Sequence, residues 1–91
     1  MRLKLIPGGD IATLVRDAVG ESRIVMIPAD LDALTMAQAK AAIGPLAFEL
    51  APAVRVNAVV PAEGARQADV DAAVAFLDQA RSTTGQLLVV R

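Results

Sequence analysis

Three nearly unbroken apolar runs constrain this chain more than any other feature: Ile24-Val25-Met26-Ile27, Val54 to Val60, and Gln86 to Val90. A strand with one wet face alternates apolar and polar residues, whereas a continuous run belongs to a strand covered on both faces, as in parallel sheets. The first two runs close at Pro28 and Pro61, which cannot donate to a sheet ladder. A shorter run, Leu3-Lys4-Leu5-Ile6, stops at the turn-forming Pro7-Gly8-Gly9.

Between these runs the apolar period changes to that of a helix. Asp10 is placed to cap a helix carrying Ile11, Leu14, Val15, Ala18 and Val19 on one stripe, with Gly20 to end it. From about Leu31 to Ala51 an Ala-rich segment holds Leu34, Met36, Ile43, Leu46, Phe48 and Leu50, too long for a strand. Gly44-Pro45 inside it predicts a kink or a break, because an interior proline removes a backbone bond and clashes with the preceding turn. After the polar 63–67 loop, Asp69 or a near neighbour caps a third helix with Val70, Ala73, Val74, Leu77 and Ala80 on its stripe. Thr83-Thr84-Gly85 then leads into the last strand.

The order is βαβαβαβ. Strands alternating with helices predict an α/β fold with a four-stranded, mostly parallel sheet and three helices, a single domain over residues 1–91. Right-handed crossovers in sequential strand order would set all three helices on one side and leave the other face bare. The long helix repeats the problem: only Thr35, Gln38, Lys40 and Glu49 are clearly polar on it. Both features predict a homo-oligomer, or a subunit of a larger complex, formed through the long helix and the last strand.

Composition excludes several chemistries. The 91 residues include no histidine, cysteine, tryptophan or tyrosine, so thiol nucleophiles, imidazole or thiolate metal sites and tyrosine general acids are ruled out. Two aromatics, Phe48 and Phe76, give no base-stacking platform, and nine basic residues in a chain of net charge -1 make no phosphate-binding patch, so nucleic acid is not an expected partner. Lys40, Glu49, Arg55 and Asp69 interrupt the apolar segments before any reaches the ~18 residues of a membrane span. With no leader pattern and no cysteine, a cytoplasmic protein is expected.

In series, Arg23-Ile24-Val25-Met26-Ile27, Met36 to Ile43, Phe48-Glu49-Leu50-Ala51-Pro52, Arg55-Val56-Asn57-Ala58-Val59, Phe76-Leu77 and Thr84-Gly85-Gln86-Leu87-Leu88 resemble the C-terminal half of the short-chain dehydrogenase/reductase family. The resemblance runs through most of residues 23–90 and implies a partial Rossmann-like fold. In that family a Tyr-x-x-x-Lys pair on the long helix and a serine at the end of the preceding strand carry out nicotinamide-dependent oxidoreduction. The lysine falls on Lys40, but the tyrosine position is Met36 and the serine position is Pro28-Ala29. In a register one turn earlier the pair falls on Asp32 and Met36, which is no better for catalysis. The family's relay asparagine, on the helix before that strand, is also missing, Asn57 in the third strand being the only asparagine here.

The resemblance therefore implies a degenerate, half-length relative without its own catalysis, acting as an oligomeric scaffold or interaction subunit. The alternatives are a nucleotide or small-ligand module using the strand ends near Pro28, Lys40 and Pro61, or part of an NAD(P)-dependent oxidoreductase completed by another chain. Lys40 is the single cofactor-binding candidate, set against a solvated or snorkelling lysine. Pro7-Gly8-Gly9-Asp10 lacks the G-x-G-x-x-G spacing of a dinucleotide loop. Asp30/Asp32 and Asp69/Asp71 read as helix-start acids rather than a metal or acid-base pair. Met26 with Met36 reads as core filler rather than a ligand slot.

Overall fold

The computed structural model describes residues 1–91 as β1 (Arg2–Lys4), α1 (Ile11–Arg16), β2 (Ser22–Met26), α2 (Ala33–Leu50), β3 (Arg55–Pro61), α3 (Gln67–Gln79) and β4 (Leu87–Val90). The four strands form one sheet in the order β1-β2-β3-β4, and every pair is parallel. Each strand is joined to its neighbour by a helix, the connection that parallel pairing requires.

Side chains alternate strictly across the sheet. Leu3, Val25, Ile27, Val56, Ala58 and Val60 face α1 and α2 and form the larger core with Val15, Ala39, Ile43, Leu46 and Ala47. Ile24 and Val59 face the other way and meet Val70, Val74 and Leu77 of α3. The unbroken apolar composition of β2 and β3 follows from this arrangement, since both of their faces are buried under helices.

The third helix corrects the expectation of a one-sided layer. The strand order advances steadily, so crossovers on opposite faces must have opposite hands, and β3-α3-β4 has the opposite hand from the two before it. The 18 residues of α2, together with α1, already fill the first face, and the stripe of α3 finds its apolar partners on the second. Coverage there remains partial, because α3 lies over β2, β3 and β4 and leaves β1 largely open.

Other boundaries differ from the sequence reading for local reasons. α1 stops at Arg16, capped by Asp17, so Ala18 and Val19 fall outside it and Val19 is exposed. Pro45 does not break α2, which runs as one helix from an N-cap at Asp32 to Leu50. Its missing N–H affects only the carbonyl of Ala41, an exposed residue whose oxygen water can serve. Pro61 is itself the last residue of β3, beside Val90, and Arg66 rather than Asp69 occupies the N-cap of α3.

Candidate functional site

The carboxyl ends of β1, β2 and β3 open onto a cleft of about 340 Å³ lined by Arg2, Lys4, Met26, Ile27, Pro28 and Pro61. It is built by register. Arg2 and Lys4 stand two apart on β1, on the face opposite buried Leu3, and pair across the ladder with Ile24 and Met26. Met26 in turn pairs with Val59, two residues before Pro61.

Its two cations differ in their surroundings. The Arg2 guanidinium meets the Asp71 carboxylate of α3 at 2.8 Å. Gln67 Nε2 donates to the same carboxylate at 3.0 Å, and these two contacts, Gln67 first, hold the Asp71 pKa below the usual carboxylate range. Lys4 has no carboxylate within ion-pair distance and no side-chain hydrogen bond, and remains exposed. Beyond the prolines, Ala29, Asp30 and Glu63 line a separate, acidic depression.

The structure thus brings Pro28 and Pro61 together, as expected, but with Lys4 and Arg2 rather than with Lys40. Lys40 is exposed on α2, outside the cleft. Lys4 was legible in principle, because Arg2-Leu3-Lys4-Leu5 alternates with the two-residue period of a strand and so sets both cations on one face. By composition alone the segment is only a short apolar run.

The remaining candidates have structural partners. Asp32 accepts from Thr35 N at 2.8 Å and from Thr35 Oγ1 at 3.0 Å, hydrogen bonds that lower its pKa and cap α2. Asp10 does the same for α1, accepting from Ala12 N at 3.1 Å and Thr13 Oγ1 at 2.8 Å. A carboxylate therefore already occupies the donors that follow Pro7-Gly8-Gly9. Met36 packs against the α1/α2 core and Met26 against the α3 core, so the two methionines lie on opposite sides of the sheet. No three Asp or Glu side chains gather to hold a metal ion.

Asn57 is the one buried polar residue, and its work is structural. Its Nδ2 donates to the Thr83 carbonyl at 3.0 Å and its Oδ1 accepts from Gln86 N at 3.0 Å. Neighbouring Arg55 donates to the carbonyls of Leu77, Ala80 and Asp78 at 3.0, 2.9 and 3.1 Å, closing the C-terminal end of α3. Together they fasten the turn between α3 and β4.

A family model described as "short chain dehydrogenase-like protein" matches residues 9–90. The chain belongs to this short chain dehydrogenase-like family. No curated protein and no solved structure matches it. The match covers α1 through β4, including the α3 crossover and the Arg55/Asn57 fastening, so these features lie within the family's domain. It also begins beyond β1, which places Arg2 and Lys4 outside the matched segment.

Proposed function

We propose that this short chain dehydrogenase-like chain is a non-catalytic scaffold or interaction subunit that assembles with copies of itself through α2 and β4. The observation that carries the reading is the outer stripe of α2. Leu34, Ala37, Ala41, Pro45 and Phe48 recur at helical spacing, are all exposed, and span about 21 Å with no charged residue among them. Leu34 is 68% and Phe48 87% exposed, values unusual for large apolar side chains on a stable monomer surface.

Two further features support it. β4 is an edge strand with Val89 46% exposed, so a second sheet edge can extend it. At the positions that resemblance assigns to the family's proton donor and substrate-orienting hydroxyl stand Met36, a thioether packed against the core, and Pro28-Ala29. Neither carries a proton to give. No helix is long and apolar enough to cross a membrane.

Native mass spectrometry of the purified protein, with a nicotinamide turnover assay on keto and hydroxy substrates, tests the reading. A homodimer or homotetramer without turnover is expected. A monomer at every concentration overturns the scaffold, and turnover abolished by Lys40→Ala overturns the loss of catalysis.

A further inference from the structure

We infer that the cleft between Lys4 and Pro61 is a binding site for a small amphipathic monoanion, an aliphatic or aromatic carboxylate or sulfonate. Its charged head would sit at Lys4 and its apolar body over Met26, Pro28 and Pro61. This goes beyond the scaffold reading and does not depend on it.

α3 lies over β2, β3 and β4 and meets β1 only marginally, through the Arg2–Asp71 ion pair, so Lys4 stays exposed and Met26 and Pro61 are only partly covered where they border the cleft. The resulting space, about 340 Å³, lies at the lower end of small-molecule sites. It also lies outside the carboxyl ends of parallel strands, where open α/β sheets place their ligands.

The lining selects the chemistry. Met26, Pro28 and Pro61 offer apolar surface, with methionine able to adapt to irregular shapes. Pro28 and Pro61 have no N–H, and that of Ile27 is committed to the Val59 carbonyl at 2.9 Å. The amide cradle that a pyrophosphate needs is therefore absent, which argues against a dinucleotide. The free donor is the unpaired Lys4 ammonium, a point charge suited to one anionic group, because Arg2 is held by Asp71.

The surroundings also set the direction. Asp30 and Glu63 line the depression past the prolines, so an anionic head is repelled from that end and drawn to β1. The apolar body is left across Met26 and the proline rings.

Octanoate titrated into isotope-labelled protein, followed by amide chemical shifts, tests the site. Saturable shifts centred on Lys4, Met26 and Ile27 are expected, with octanol and inorganic phosphate each binding more weakly. Lys4→Glu should weaken octanoate binding about fivefold, and Lys4→Gln about twofold, on a folded spectrum. Equal affinity in either lysine variant, shifts centred on the α2 stripe, or no saturable shifts would overturn the inference. The oligomeric mass, read on the same samples, separates the two readings. An intact oligomer that ignores octanoate refutes the site alone, and a monomer that binds it refutes the scaffold alone.

Discussion

Asn57 on β3 accepts the backbone N–H of Gln86 at 3.0 Å, so a side chain with no exposed surface fixes the residue at which β4 begins. The same amide donates to Thr83, and Thr84 Oγ1 accepts from Val56 N at 3.0 Å one residue away. β4 is an edge strand of four residues, paired only with β3, and it depends on this fastening for its register.

Replacing Asn57 by leucine should therefore cost about 1–2 kcal/mol, the penalty for leaving the part-buried Gln86 N–H and Thr83 carbonyl without their partners. Urea unfolding of Asn57→Leu against the parent measures it. A loss below about 0.5 kcal/mol would show that water replaces the amide, and that the fastening is dispensable.

Acid should destabilise the fold from one side only. Hydrogen bonds from Thr13 to Asp10, from Thr35 to Asp32, from Arg16 to Glu49 and from Gln67 and Arg2 to Asp71 hold all four carboxyls below their usual range. A group with a depressed folded pKa contributes its stabilisation above the unfolded value, about 4, and loses it as pH falls through the folded one. With no histidine in the chain, the urea midpoint should stay nearly level from pH ~8 to ~5 and then fall. A midpoint that rises on acidification would contradict the assignment, and Asp32→Asn should reduce the fall.

Pro45→Ala should stabilise the protein by about 1 kcal/mol, since alanine returns an N–H to the Ala41 carbonyl inside an exposed helical segment. Thermal unfolding reads the change. A destabilised Pro45→Ala, with a shift that depends on protein concentration, would mean that the ring's contact with another copy of α2 outweighs the regained helix bond.

Much of this architecture is legible in the residues, because Pro28, Pro61 and the apolar runs between turns state both strand position and two-sided burial. Asp10 and Asp32 mark their helix starts through short-range capping, which needs no tertiary information. The face chosen by α3 is not legible. Its stripe, Val70, Val74 and Leu77, fits either side of the sheet, and the choice is made by which side α1 and α2 leave free. The same limit applies to the cleft. The resemblance points to Lys40, and the alternation of Arg2 and Lys4 shows only that they share a strand face, whereas the cleft beside that face exists only once β1 is paired with β2 next to Met26.

The two phenylalanines provide the sharpest test of how the chain assembles. Phe76 is 60% exposed on α3, but its helical neighbours include Asp69 and Gln79, so a partner covering it would have to desolvate polar groups as well. Phe48 is 87% exposed and continues an uncharged stripe through Pro45 and Ala41, where small side chains let a second helix approach closely. The alanines contribute little to burial themselves, so Phe48 and Leu34 at the two ends must supply most of the apolar area. An aromatic ring of this size buries about 150–250 Å² when covered, or roughly 4–6 kcal/mol at 25 cal/mol per Å² before the costs of association. Phe48→Ser should therefore shift the oligomer to smaller species in sedimentation velocity by at least about tenfold in dissociation constant. Phe76→Ser should leave the sedimentation profile unchanged. The reverse pattern would assign assembly to α3 and leave the α2 stripe without a partner.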